Sequence, residues 1–564
     1  MQAPWKVPSD WVGDAEHALK DVAPRLPNPP PRRSLRSIHH RGDLMAEDDS
    51  GRALELLLIA DVHYVRKADH TCPIPERQAA LGREFVQRTR LRVAREGPVD
   101  VVVLMGDLVD NGEAPGADKD LQALADEVRK FGAPVIVVPG NHDGSADRMQ
   151  RIFGDHVGLH RLKGYQLITF ADAYQANDEA ARSPADLGLV VSAAGEHPDE
   201  PTIALQHNPV HPEIESTYPY NLTNASEVMR AYEHANVMLS ISAHYHPGLA
   251  PEAVNGVHYL TCPALCEAPM RFARVSVKGR TFAAREEPLA MPAVPFPLVD
   301  HHAHTHYAYC ADNVCPQASI DRAERFGVQR LYFTEHAGQL YLSPEDYWGG
   351  AFRRDAGIIS RERKGGRGRM HCYREEMASW RSPRVGVGLE VELDADGELT
   401  LLDEDRAGWD VLIGAVHALS ASSNESATDA EAARDFMRET ERIVALGIDI
   451  LAHPFRIFRR SDRRVPTDLY EPLAQLLAAH GVAAEVNYHT NEPDPRFFEC
   501  CLVHGVKIAF GSDAHGLWEV GELSPHLALL EQIIPASEAA GVLYSATRPG
   551  AHPAMQAPAQ REAK

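Results

Sequence analysis

The sequence predicts an α/β protein of two domains, the second a distorted βα-barrel of seven strands. Three observations lead there. At 564 residues and 62.1 kDa the chain is too long for one ordinary core. In its second half, a β-run ends in a polar, potentially ligating residue seven times. In its first half, five apolar runs end the same way.

The seven runs are "FPLVDHHAH", "VQRLYFTEH", "RVGVGLEVE", "WDVLIGAVH", "GIDILAHP", "GVAAEVNYH" and "GVKIAFGSDAH". Amphipathic helical segments such as "DAEAARDFMRETERIVALG" and "DLYEPLAQLLAAHG" lie between several of them. Strand, helix, strand is the grammar of parallel β-structure. Polar residues at the C-terminal ends of successive strands mark the working face of a βα-barrel, and seven strands, one short of eight, imply distortion. The runs of the first half are "LELLLIADVH", "VDVVVLMGDLVDNG", "APVIVVPGNHDG", "PTIALQHNP" and "NVMLSISAHYH". Strands buried on both faces hold the backbone rigid, so the loops that follow fix side chains accurately.

Residues 1–52, rich in proline and charge, read as a loosely ordered extension, and 53–285 as the first domain. The stretch 286–297 reads as a proline-rich linker, 298–542 as the second domain, and 543–564 as a disordered tail. The composition, 44% hydrophobic and 24% charged, is that of a soluble globular protein. A net charge of -23 disfavours nonspecific binding to duplex nucleic acid. No apolar run is long enough to span a bilayer, so no membrane partner is expected. The first residues lack a basic head followed by an apolar core, and eight cysteines in so long a chain do not resemble a disulfide framework. A cytoplasmic setting is the expectation. Oligomeric state is left open.

Histidine is the anomaly: there are 29, and "LVDHHAHTHYAYC" alone places four of them with an aspartate in seven positions. The first half supplies Asp61, His63, Asp107, Asn141, His142, His207, His244 and His246. Such mixed nitrogen and oxygen donors suit zinc, manganese or iron. They are enough for two ions, which at about 3.5–4 Å apart clamp a phosphoryl group and activate water near neutral pH. Any single D-x-H or H-x-H is a chance match; five fragments in order at strand ends are not.

Those five fragments, "DVH", "GDLVDNG", "GNHD", "HNP" and "AHYH", resemble the blocks of the calcineurin-like metallophosphoesterases over roughly residues 53–285. The resemblance implies a β-sandwich flanked by helices. It also implies one metal on Asp61, His63, Asp107 and His246 and another on Asp107, Asn141, His207 and His244. His142 would protonate the leaving oxygen, steadied by Asp143. Ala243 stands where the family's last block carries glycine.

The second set resembles the PHP (polymerase and histidinol phosphatase) domain over roughly 298–520: Asp300, His302 and His304 open it, followed by His336, Glu390, His417, His453, Asp513 and His515. The resemblance implies His302, His304, Glu390 and Asp513 on one metal and Glu390, His417 and His453 on a second. His336 and His515 would hold a third, with one more ligand from the first loop. Asp312 is preferred for that ligand, with His306 and Cys310 as alternatives. Glu335 precedes His336 and would orient it. Glu392 is read as the start of a loop, and His301 and His489 as structural or supporting. Arg456, just beyond His453, would reach a substrate phosphate.

The function expected is a two-centre phosphohydrolase acting on phosphate mono- or diesters of a small phosphorylated metabolite or nucleotide. Divalent manganese, iron or zinc would serve it, two ions in the first domain and two or three in the second. Consecutive steps, diester to monoester and then monoester to alcohol, would explain the pairing. A nuclease acting on nucleic acid ends is the rival, less favoured because of the acidic charge. A reading of another class makes one domain a non-catalytic metal-binding sensor or scaffold.

Overall fold

A computed structural model describes residues 53–66, 72, 74, 76–312, 314–366, 368–419 and 427–546. The extension 1–52 and most of the tail therefore lie outside the described residues.

The first domain contains β1 (Ala53–Ile59), β2 (Val101–Leu104), β3 (Val135–Val137), β4 (Gly158–Leu162), β5 (Tyr165–Thr169), the short hairpin β6 (Ala173–Tyr174) and β7 (Ala180–Ala181), β8 (Thr202–Leu205), β9 (Val237–Ser242), β10 (Leu249–Val254), β11 (Val257–Thr261), β12 (Arg271–Lys278) and β13 (Thr281–Pro288). Two sheets form, in the orders β13-β12-β1-β2-β3 and β10-β11-β9-β8-β5-β4. Period-two alternation divides β1 between two cores. Leu54, Leu56 and Leu58 meet Leu167, Leu205 and Ile241 of the facing sheet. Leu57 turns the other way, onto Phe85 and Leu124 of the covering helices. The result is a sandwich with helices outside. Because β13 pairs through Pro288, residues 286–288 belong to the sheet although their composition suggests a linker.

The second domain is a parallel barrel of β14 (Val299–Ala303), β15 (Arg330–His336), β16 (Val385–Val391), β17 (Val411–Gly414), β18 (Ile450–Leu451), β19 (Ala483–Asn487) and β20 (Ile508–Gly511), paired in sequence order. It nearly closes where β14 meets the segment just after β20: His304 N donates to Ala514 O at 3.1 Å and Asp513 N to His302 O at 2.7 Å. The lower interior is filled by Tyr332, Ile413, Ile450 and small alanines. Gly386 admits the Tyr332 ring there, since a Cβ at residue 386 would overlap it.

The domains share a packed boundary. The helix Gly82–Glu96 of the first domain sets Phe85 edge-on to Phe326 of the second, with ring centroids 6.2 Å apart. Arg322 pairs with Glu84 at 2.7 Å. No helix among the described residues is long and apolar enough to cross a membrane.

Candidate metal centres

Each candidate ligand of the first domain, like His142, follows the end of a buried strand. Asp61 and His63 follow β1, Asp107 follows β2, Asn141 and His142 follow β3, His207 follows β8, and His244 and His246 follow β9. Asp107 is the hub. Its Oδ2 lies 3.5 Å from His63 Nε2 and 3.4 Å from His207 Nε2, while Oδ1 accepts the His142 N–H at 2.9 Å. His246 Nε2 lies 3.6 Å from Asp61 Oδ1, and His207 Nε2 lies 3.1 Å from His244 Nδ1. The ligand atoms of Asp107, His207 and His244 all fall within 4.8 Å of one another. A cavity of about 460 Å³ opens over them, walled by Arg77, Tyr218, Tyr220 and Glu267.

In the barrel, Glu390 is the corresponding hub. His417 Nε2 lies 3.2 Å and His453 Nε2 3.1 Å from its Oε1, and His302 Nε2 lies 3.6 Å from its Oε2. Asp513 Oδ1 stands 3.5 Å from His302 Nε2 and 3.0 Å from His304 Nε2. His304, His336 and His515 form a further compact group. A cavity of about 580 Å³ opens above, lined among others by His336, His417, His515, Arg353, Arg456, Arg460 and Trp348.

One arrangement recurs in both clusters: behind five of the imidazoles an acceptor holds Nδ1, so that Nε2 faces inward. Met105 O holds His207 at 2.7 Å, and Glu267 holds His246 at 2.5 Å. Glu485 holds His302 at 2.8 Å, Glu335 holds His304 at 3.2 Å, and Glu392 holds His417 at 3.1 Å. Such partners fix tautomer and ring angle in metal sites. Burial opposes ionisation of Asp107 and Glu390, but the neighbouring imidazoles outweigh it and hold both carboxyls well below the usual range. Burial likewise opposes charge on His207, and Asp107 overrides it, raising the imidazole to about 10.

These residues fit divalent cations. Asp61 Oδ1, His63 Nε2, Asn141 Oδ1, His244 Nε2 and His302 Nε2 are buried without hydrogen-bond partners. Leaving a buried polar atom unsatisfied costs about 1–3 kcal/mol, which coordination would offset. The backbone is left-handed within the same two clusters: φ is 50° at Asp61, 46° at His63, 51° at Asp107, 67° at His244, 31° at His453 and 52° at Asp513. Left-handed backbone in residues other than glycine collects at functional sites.

Three sequence-based expectations find their side chains elsewhere. Asp143 braces backbone, accepting from Leu108 N at 2.6 Å and Gly140 N at 2.8 Å, while the His142 ring is fixed by Asp110 O at 2.6 Å from its Nδ1. Asp312 is exposed; its N–H donates to His515 O at 2.7 Å, and Cys310 takes the place in the cavity wall with His336 and His515. His306 is exposed and turned to Glu376, 3.5 Å away. Glu392, read as the start of a loop, is buried and grips His417, Tyr347 OH at 2.8 Å and Arg353 at 3.0 Å. Arg456 Nη1 lies 2.6 Å from Asp513 Oδ2 and its Nη2 2.7 Å from His453 Nε2, at the cavity floor. Nothing in the spacing of the sequence singles out Glu267, and the one signal for Glu485 is a carboxylate within the strand run "VAAEV".

Residues 54–248 match the calcineurin-like phosphoesterase family, and residues 300–489 match the PHP domain family. A cAMP/cGMP dual specificity phosphodiesterase of Mycobacterium tuberculosis is 24% identical over 155 residues, which are 26% of this chain and 48% of that protein. The match thus spans about half the length of that relative. Among solved structures, a dimetal phosphatase from Danio rerio aligns at 16% identity and a TM-score of 0.35, covering 42% of this chain and 98% of that one. A Listeria monocytogenes protein described as a histidinol phosphatase aligns at 15% identity and a TM-score of 0.30, covering 40% and 97%.

Proposed function

Since the chain carries a calcineurin-like phosphoesterase domain followed by a PHP domain, we propose that both are working metal-dependent phosphoric ester hydrolases, the first cleaving a diester and the second a monoester. The observation that carries the division is the charge of the two cavities. The first is lined by Glu76, Asp107, Asp178 and Glu267 against one arginine, Arg77. The second is lined by Arg353, Arg456 and Arg460 against one carboxylate, Glu392. A diester carries one negative charge, whereas a monoester approaches two near pH 7. The acid-rich cavity therefore suits the diester, and the arginine-rich one suits its more highly charged product. The similarity to a cyclic-nucleotide phosphodiesterase agrees with diester chemistry in this chain.

Bound divalent ions would supply Lewis-acid charge and activated water at each centre. Asp61, His63, Asp107, Asn141, His207, His244 and His246 would hold them in the first domain. His302, His304, His336, Glu390, His417, His453, Asp513 and His515 would hold them in the second. His142, with Nδ1 committed to Asp110 O, presents Nε2 to the first cavity, where it would hand a proton to the leaving oxygen. Arg456 would leave Asp513 for a substrate phosphoryl oxygen, making a charge-assisted pair. All eight cysteines are free thiols, in keeping with a reducing, cytoplasmic setting.

Phosphomonoesters and phosphodiesters assayed on wild type, Asp107→Ala and Glu390→Ala test the reading. Asp107→Ala should lose diester cleavage alone, and Glu390→Ala monoester cleavage alone. Loss of one and the same activity in both variants would end it.

A further inference from the structure

The loop that carries two ligands of the second centre is gripped by the first domain. After Asp513 and His515 the chain runs through turns to residue 522 with no strand or helix of its own. Arg88, fully buried on the helix Gly82–Glu96, reaches into that loop. Its Nη1 donates to Val520 O at 2.9 Å and Trp518 O at 3.4 Å, and its Nη2 to Gly521 O at 2.9 Å. Nε lies 2.8 Å from Glu522 Oε2, and the guanidinium carbon sits 3.6 Å over the Phe326 ring. One planar fork thus donates to three carbonyls and ion-pairs with a carboxylate, which an ammonium group cannot do in this geometry.

Two short paths lead from that grip to ligands. Within the loop, Glu519 Oε2 accepts from His515 N at 2.8 Å and Gly516 N at 3.0 Å, while Oε1 lies 3.2 Å from His489 Nδ1. At its end, Gly521 N donates to Asp300 Oδ2 at 3.1 Å. The same carboxylate accepts from Ser512 N at 2.9 Å, Ser512 Oγ at 2.6 Å and His302 N at 3.3 Å. Asp300 therefore sets the backbone beside Asp513 and His302.

We infer that Arg88 is a positioning residue of the second metal centre, so that a helix of the first domain completes a site whose ligands all belong to the second. The inference rests on the reading that His302, His304, Asp513 and His515 bind divalent ions. It goes beyond that reading in making the barrel's metal affinity depend on its neighbour. The helix also begins against the first centre: a Cβ at Gly82 would meet Val62 Cγ1 at 2.9 Å, between Asp61 and His63.

The test is Mn²⁺ titration of the full chain, followed by electron paramagnetic resonance, with Arg88 intact, Arg88→Lys or Arg88→Met. An Asp107→Ala background reports the second centre and a Glu390→Ala background the first. Both replacements should weaken Mn²⁺ at the second centre by about 10-fold or more, lysine nearly as much as methionine, and leave the first centre unchanged. Unchanged affinity at the second centre in both variants would overturn the role of Arg88, as would an equal loss at both centres. If the chain with Arg88 intact bound no Mn²⁺ at the second centre, the metal reading itself would fall instead.

Discussion

Glu485 Oε1 lies 2.8 Å from His302 Nδ1, and its Oε2 accepts the His453 N–H at 2.7 Å, so one carboxylate holds two candidate ligands of the barrel. Glu485→Gln keeps the shape but removes the charge that sets the His302 tautomer. Mn²⁺ affinity at the second centre should fall about 10–100-fold, read by titration in the Asp107→Ala background.

Gly511 faces that carboxylate. A Cβ there would overlap Glu485 Oε1 and stand 2.7 Å from His302 Cβ. Gly511→Ala should therefore cost the second centre at least as much metal affinity as Glu485→Gln, about 10–100-fold, with monoester cleavage lost and diester cleavage kept.

Glu522 sits buried between Arg88 and Arg92, 2.8 and 2.9 Å away. Burial opposes its charge, but the two guanidinium groups prevail and bring the carboxyl from 4.5 down to about 2. The folded-state value is depressed, so the stabilisation is complete above about pH 4.5 and is lost as pH falls toward 2. Glu522→Gln should destabilise by about 3–5 kcal/mol at pH 7, because it strands two buried cations. The gap in thermal midpoint between the two proteins should narrow steadily from pH 5 to pH 3.

His142→Asn should lower diester turnover by about 10²–10⁴-fold. The loss should be largest for alkoxide leaving groups and nearly vanish for nitrophenolate, which departs without a proton. A uniform loss across leaving groups would assign His142 to binding.

Much of this is legible in the sequence because the candidate ligands are local to strand ends. "GDLVDNG", "GNHD" and "GSDAH" each place a short polar group after an apolar run, and the structure brings these groups together at the strand ends. Of the groups that support these candidate ligands, Glu335 is legible, since it precedes His336 and accepts its N–H at 3.0 Å; the distant ones are not. Glu485 and Glu267 act on histidines 183 and 21 residues away, and Arg88 on a carbonyl 433 residues away. Contacts at such separations leave no spacing to read. Asp312 shows the opposite case: its position suits a ligand in the sequence, and the backbone pairing of residue 312 with residue 516 leaves it exposed.

Asp61, His63, Asp107, His244, His453 and Asp513 all hold left-handed backbone, a conformation that glycine adopts without penalty. The chain thus keeps unfavourable residues where the scaffold alone would choose otherwise. Selection for robustness without selection for turnover would erode these six positions first. A sister lineage that had abandoned catalysis should betray itself by glycines there, and by a higher melting temperature than its active cousin.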